Sequence, residues 1–169
     1  MKIAIVGTRG IPGRYGGFET FAEELSTRLV KRGHDVVVFG RTSKFPYESV
    51  DNFQGVRRVL TWTWFGKHVE TPLSSLTAFL YLIFQRVDVI ILCNAANSIF
   101  ASIARIFGMP VIINVDGIER ERSKWGILGR WWYRLGEVCS LLFGSKVVAD
   151  AYSIGDYYAQ HYGFPVERI

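Results

Sequence analysis

Cysteine, histidine and long hydrophobic runs are all scarce in this chain of 169 residues. Its two cysteines, Cys93 and Cys139, are too few for a disulfide scaffold or a cysteine-ligated zinc site. The three histidines, His34, His68 and His161, share no metal-ligand spacing. We therefore expect buried, reduced thiols and no bound metal.

No segment of the sequence is long and apolar enough to predict a transmembrane helix. The longest apolar region, 73–93, is interrupted by Gln85, Arg86 and Asp88, whereas a helical span needs about 20 predominantly apolar residues. No signal peptide is recognisable either, because Met1 leads directly into a strand-like run. The sequence therefore predicts a cytoplasmic protein.

Positive charge is in excess, with a formal net charge of +5 and a sequence pI near 9.4. Such a charge suits an anionic partner, such as a membrane surface, phosphate groups or nucleic acid, without choosing among them. No known RNA- or DNA-binding motif is present, so nucleic acid is not expected as a partner. Hydrophobic residues make up 49% of the chain, which is enough for a folded core rather than a disordered segment.

Short apolar runs alternate with amphipathic segments along the whole chain. Strands are predicted over 2–7, 35–40, 56–64, 87–93, 110–115 and 146–149, and helices over 18–32, 71–85, 97–107, 128–143 and around 156–158. The polar stretch 41–55 is interpreted as a loop. This alternation predicts one α/β domain over residues 1–169, a doubly wound, mostly parallel, Rossmann-like sheet. In such sheets, ligands bind beyond the carboxyl ends of the strands.

The loop after the first strand carries the strongest signal. It runs from Gly7 to Gly17 and contains five glycines before a helix N-terminus. Free amides and the helix dipole favour an anion there, and glycines let the backbone approach it closely. Arg9 and Arg14 could add positive charge. A merely mobile turn is the alternative, although a simple strand–helix connection needs only about 2–6 residues.

A dinucleotide site is a second interpretation of this loop. The spacing of Gly7, Gly10 and Gly13 departs from the usual Gly-x-Gly-x-x-Gly pattern, and Arg41 after the second strand could suit the 2′-phosphate of NADP. The helical pattern begins only at Phe18, which makes the loop too long for the usual dinucleotide turn. An NADP-binding oxidoreductase and a non-catalytic anion-binding module both remain open at this point.

Two segments carry a family resemblance. GTRGIPGRYGGFETFAEEL (7–25) and INVDGIERERSKWG (113–126) resemble motifs in the N-terminal domain of family-4 glycosyltransferases of the two-domain GT-B type. The similarity is strongest to the rhamnosyltransferase-like subgroup of bacterial polysaccharide synthesis. It extends over essentially the whole chain, and the two segments follow the first and fifth predicted strands.

The resemblance implies one half of a GT-B enzyme, the acceptor-side domain. Its loop residues Gly13, Arg14, Gly16 and Gly17 would approach the diphosphate of the donor. A C-terminal donor-binding domain, absent from this chain, would hold most of the nucleotide-sugar, so the chain alone is expected to be inactive. The resemblance implies transfer of a sugar, with rhamnose as the donor sugar that the subgroup suggests, to a hydroxyl of a polysaccharide or lipid-linked acceptor. The nucleotide-diphosphate sugar is a substrate, and no cofactor or essential metal is implied.

The second motif supplies the catalytic candidate, Asp116. Many family members carry a histidine near this position, and a carboxylate could instead hydrogen-bond an acceptor or donor-sugar hydroxyl. A turn aspartate beside Gly117 is the alternative. Glu119 is a weaker candidate for the same role. The acceptor-side cleft is predicted to include Arg9, Glu19, Asn94, Gly117, Glu119, Arg120, Arg122 and Lys124. The last three would contact the phosphate of a lipid-linked acceptor, although a solvated charge run explains them equally well.

An aromatic and basic stretch follows the second motif. Trp125, Trp131, Trp132 and Tyr133 lie among arginines and lysines, a composition that favours an anionic membrane interface. Such a contact would place the protein at the inner face of the plasma membrane, near a lipid-linked substrate. Trp131 also lies on the apolar stripe of the helix predicted over 128–143, where a core position is the usual outcome.

Overall fold

The computed structural model describes residues 1–13, 16–42, 51–63, 70–115, 117 and 126–168. The chain divides into two compact units, Met1–Ile91 and Leu92–Ile169. Both units consist of strands alternating with helices, and each is described in turn.

The first unit contains a mostly parallel sheet. Its elements are β1 (Lys2–Val6), α1 (Gly17–Lys31), β2 (Asp35–Arg41), β3 (Asn52–Phe53), β4 (Val56–Thr61), α2 (Glu70–Phe84) and the start of β5 (Val89–Cys93). The strand order is β3-β4-β2-β1-β5. β1 pairs in parallel with β2, and β2 with β4. The Ile- and Val-rich runs of β1 and β2 are buried along almost their full length, as expected for strands covered on both faces.

The first strand and the turn of a short hairpin occupy residues 52–55, at the end of the stretch 41–55 for which the sequence predicts only a loop. Asn52–Phe53 pairs antiparallel with β4. Gln54 and Gly55 form the turn, both with positive φ, and the Gly55 N–H donates to Asn52 Oδ1 over 2.9 Å. A two-residue turn of this kind usually contains Asn-Gly or Asp-Gly. Because position 54 is a glutamine, the sequence gives no clear signal for this turn. β4 also ends earlier than predicted, at Thr61.

The second unit continues the α/β pattern. After the end of β5 it contains a 3₁₀ segment (Ala95–Phe100), α3 (Ala101–Ile106), β6 (Val111–Val115), α4 (Ile127–Phe143), β7 (Lys146–Ala149), α5 (Tyr152–Tyr162) and β8 (Glu167–Arg168). β7 pairs in parallel with both β6 and β8. The prediction of a mostly parallel, Rossmann-like α/β fold is confirmed. The helix predicted over 97–107 is instead a 3₁₀ segment followed by a shorter α-helix.

Helix α4 packs on the 3₁₀ segment through small residues. Gly136 is buried, and a Cβ at this position would lie 2.8 Å from Ala96 Cα and 2.9 Å from the carbonyl carbon of Ala95. Cys139 and Ser140 are buried on the same helix. Both cysteines of the chain are buried and form no disulfide, as predicted. The close approach of two backbones therefore fixes which side of α4 faces the core.

The apolar stripe of α4 consequently faces solvent. Trp131 is 66% exposed and Leu128 is 86% exposed. The interpretation of Trp131 as a core residue is wrong, because the side of the helix that meets the 3₁₀ segment is the one that carries Gly136, Cys139 and Ser140. No helix within the described ranges combines the length and the apolar character that a bilayer crossing requires.

A buried carboxylate joins α4 to α5. Glu137 is 4% exposed, and its Oε2 accepts hydrogen bonds from Tyr157 Oη (3.1 Å) and Tyr162 Oη (2.6 Å). Burial, together with the nearby carboxylate, raises the pKa of the Tyr162 hydroxyl. The Tyr162 hydroxyl therefore remains a donor, and the Glu137 carboxylate is buried beneath the two phenols.

Replacing Gly136 with alanine tests the backbone contact. We expect Gly136→Ala to lower the free energy of unfolding by about 1–3 kcal/mol, because the added methyl group meets backbone atoms that cannot move aside. Urea unfolding measures the change. Gly17→Ala is the matched control, since a Cβ on Gly17 meets nothing within 4 Å. Equal stability of the two variants would contradict the packing argument.

Candidate functional site

The glycine-rich loop after β1 is anchored in the first unit. Ile11 is 1% exposed and fixes the middle of the loop in the core. The Arg41 N–H donates to the carbonyl oxygen of Arg9 over 3.1 Å. Gly40 faces Gly10 so closely that a Cβ on Gly40 would lie 3.1 Å from Gly10 Cα. These contacts argue against the alternative of a merely mobile turn.

Two carboxylates of α1 bind backbone amides of the loop. Glu19 is 8% exposed, and its Oε1 accepts a hydrogen bond from the Arg9 N–H over 2.9 Å. One turn further along, Glu23 Oε2 accepts from the Gly13 N–H over 2.6 Å. Glu19 thus lies under the loop and determines its shape.

Glycines at the end of the loop expose the start of α1. Gly16 has a φ of 95°, and a Cβ there would lie 2.6 Å from Glu19 Oε2. Gly17 begins the helix and has open space where a side chain would be. The N-cap residue is Gly16, which has no side chain to hydrogen-bond the first amides, and both Gly16 and Gly17 are exposed. The first amides of α1 are therefore accessible to an anion, which the helix dipole also favours.

Arg41 lies in a cluster of opposite charges. It is 6% exposed at the end of β2, with Nη1 3.8 Å from Glu70 Oε2 at the start of α2. Burial lowers the pKa of the Arg41 guanidinium, the charge of Glu70 opposes this shift, and Arg9 and Glu19 act more weakly in opposite directions. A guanidinium that is buried against a carboxylate is poorly suited to bind the 2′-phosphate of NADP.

In the second unit, Asn94 follows β5 and shapes the next turn. Its Oδ1 accepts from the Ala96 N–H over 2.9 Å, and its own N–H donates to the carbonyl oxygen of Asn114 in β6 over 3.0 Å. Gly117, just beyond β6, is half-buried with a φ of 56°. The ends of β5 and β6 are therefore joined where the second motif begins.

Several predicted site residues lie outside the described residues. These are Arg14, Asp116, Glu119, Arg120, Arg122 and Lys124. Their roles stay predictions. The structure gathers Arg9, Gly13, Gly16, Gly17 and Glu19 at the loop of the first unit, and it places Asn94 and Gly117 in the second unit. Across the described part of the chain, no group of three or more His, Cys, Asp or Glu side chains is arranged to hold a metal ion.

Some polar residues near these sites are not predicted from the sequence. Glu23 is one of them, although its spacing of four residues from Glu19 on one helix places both on the same face. In the second unit, Asn97 Oδ1 and Asn114 Oδ1 are buried without a hydrogen-bond partner among the described residues. The sequence does contain an indication of Asn114, because an amide side chain within the apolar run of β6 is a buried polar group that needs a partner or a function.

Removing the Glu19 carboxylate tests its control of the loop. We expect Glu19→Ala to lower the free energy of unfolding by roughly 1–3 kcal/mol, because it leaves the Arg9 amide without its charged acceptor. Urea unfolding measures the change, and hydrogen exchange at the Arg9 amide should become faster. Glu24→Ala is the control: Glu24 is exposed and pairs with Arg28 four residues away, an interaction that contributes about 0.3–0.5 kcal/mol. The same loss in both variants would contradict the assignment.

Comparisons with known structures identify the fold. Sucrose-phosphate synthase from Thermosynechococcus elongatus matches with a TM-score of 0.75 at 13% identity, over 99% of this chain and 47% of that chain. HepE from Anabaena, in complex with UDP and glucose, matches with a TM-score of 0.64 at 15% identity, over 99% of this chain and 43% of that one. UDP-N-acetylglucosamine 2-epimerase from Rickettsia bellii gives a TM-score of 0.60 at 12% identity, over 99% and 43%. The chain thus spans a little less than half the length of each of these structures, and the likeness concerns the fold.

Sequence comparison identifies the family. No curated protein sequence matches the chain. The model of the family described as Glycosyltransferase Family 4, however, matches residues 15–169, which is most of the chain. The match includes the start of α1, with Gly16 and Gly17, and all of the second motif. The chain belongs to glycosyltransferase family 4.

Proposed function

We propose that this chain is the acceptor-side domain of a GT-B enzyme that moves a sugar from a nucleotide-sugar to a hydroxyl of a polysaccharide or lipid-linked acceptor. The observation that carries the proposal is the uncapped N-terminus of α1 behind an anchored glycine loop, in a family-4 chain. A diphosphate is the anion that such a terminus suits in an enzyme of this family.

The loop residues divide between shaping and binding. A Cβ on Gly13 would lie 3.1–3.2 Å from the backbone of Glu19 and Thr20, so Gly13 allows the loop to lie on α1. Gly16 bends the chain over the Glu19 carboxylate. Gly17, with open space around its Cα, is the position where a donor diphosphate would meet the backbone. Arg14 would add a positive charge beside it.

The donor is proposed to be a nucleoside-diphosphate sugar. HepE from Anabaena binds UDP and glucose in its crystal structure, which supports this class of donor for a chain of the same fold. Rhamnose is the suggested sugar on the subgroup resemblance of the two motifs. We expect a second domain to bind most of the nucleotide, so this chain alone would not transfer sugar.

The acceptor is proposed to bind beyond β5 and β6 in the second unit. Asn94 and Gly117 lie at the ends of these strands. Asp116, between β6 and Gly117, would hydrogen-bond the reacting hydroxyl or a donor-sugar hydroxyl, with Glu119 in support. Arg120, Arg122 and Lys124 would bind the phosphate of a lipid-linked acceptor. Such an acceptor places the enzyme at the cytoplasmic face of the plasma membrane.

The NADP interpretation is not favoured. It required Arg41 to bind a 2′-phosphate, and Arg41 is buried opposite Glu70. The family match also points to sugar transfer rather than to hydride transfer.

Thermal unfolding with nucleotides tests the proposal. We expect UDP to raise the melting temperature of this chain by a small, concentration-dependent amount, because the chain would bind only the diphosphate and a ligand that binds only the folded state stabilises it. NADP⁺ should raise the melting temperature no further than UDP does, because Arg41 is buried against Glu70 and does not bind the 2′-phosphate. Gly17→Leu should abolish the UDP shift by blocking access to the first amides of α1. Gly126→Leu is the matched control, since Gly126 precedes α4 and a Cβ there meets nothing within 4 Å.

Two outcomes would contradict the assignment. A melting-temperature shift with NADP⁺ and none with UDP would favour the oxidoreductase interpretation. An unchanged UDP shift in the Gly17→Leu variant would exclude this loop as the diphosphate site.

A further inference from the structure

Helix α4 carries an apolar face that is exposed to solvent in the part of the chain that the structure describes. The large apolar side chains on its exposed side are Ile127, Leu128, Trp131, Leu135, Val138 and Leu142. At 3.6 residues per turn they fall within an arc of about 100°. An apolar stripe of this width normally faces the core, and on a surface it marks a site of interaction.

The charges on α4 are of one sign. Arg130 and Arg134 are exposed and lie along one edge of the apolar face. The structure describes the whole of α4, and its single acid, Glu137, is buried beneath the hydroxyls of Tyr157 and Tyr162. The exposed surface of the helix therefore combines apolar residues with positive charge and presents no negative charge of its own.

We propose that α4 docks in the plane of an anionic lipid bilayer, with its apolar face in the interface and Arg130 and Arg134 against lipid phosphates. A tryptophan and leucines on one face with arginines beside them are characteristic of helices that lie in such an interface. The helix is too short to cross the membrane, so it binds along the surface. α4 would thus be the surface through which the protein reaches the membrane face given under the proposed function. Binding of α4 to lipid can be measured without any nucleotide.

A second copy of the chain fits this face less well. A symmetric contact through α4 would bring Arg130 and Arg134 of both copies to one interface. α4 offers no exposed acid to pair with those four arginines. Like charges at an interface are unfavourable, whereas an anionic lipid surface attracts each of them. Charge complementarity therefore favours the bilayer over a second copy of the chain.

Binding to vesicles tests the proposal. Vesicles of equimolar phosphatidylcholine and phosphatidylglycerol should bind the chain, and Leu128→Gln/Trp131→Gln should weaken binding by about a factor of ten or more, because two large apolar side chains no longer enter the interface. Phe84→Gln/Ile106→Gln is the matched control, because it removes two equally exposed apolar residues from α2 and α3. Both variants change only exposed positions, and unchanged urea midpoints verify their folding.

The charge contribution is tested separately. Arg130→Gln/Arg134→Gln should weaken binding to the same vesicles by about thirtyfold, at roughly one kcal/mol for each arginine near an anionic surface. Phosphatidylcholine vesicles should bind the unaltered chain weakly. Equal binding by the α4 and control variants would overturn the proposal. So would a dimer in the absence of lipid that Leu128→Gln/Trp131→Gln dissolves. Either result would leave the UDP experiment unaffected.

Discussion

The hydrogen bond from the Arg9 amide to the buried Glu19 carboxylate is the constraint on which the loop of the first unit depends. It directs the Glu19 side chain back beneath the loop. The carboxylate therefore accepts a hydrogen bond from the Arg9 amide instead of one from the first amides of α1. Gly16 has to lack a side chain because this carboxylate lies beside it. Among the described residues, the start of α1 is then marked by the exposed Gly16 and Gly17, and the proposed diphosphate site follows from that exposure.

Much of this arrangement could be predicted from the sequence. Continuous Ile and Val runs identify the parallel strands, and the density of glycines identifies the loop. The use of Glu19 could not be predicted in the same way. An acid near a helix N-terminus satisfies the helix dipole whether it points to solvent or to the preceding loop. Only the path of residues 9–13 across the end of β2 decides between the two, and that path depends on contacts between residues distant in sequence.

Helix α4 shows the opposite limit. The sequence predicts its extent within one residue at its start, because the 3.6-residue period is clear. Its orientation is not predicted, because periodicity identifies an apolar face without saying what covers it. Gly136, Cys139 and Ser140 form a second face that is small rather than apolar. Where a helix must lie directly on another backbone, the small size of its side chains matters more than their hydrophobicity. A hydropathy pattern therefore does not identify this face of the helix.

The contact at Gly136 also has a mechanical consequence. Side chains between two packed segments can change rotamer and absorb a small displacement of one against the other. Backbone against backbone has no such compliance. We therefore expect the 3₁₀ segment that Asn94 initiates and the helix that packs on it to move together at this contact. A displacement of α4 would then be expected to change the turn at Asn94, which follows the end of β5.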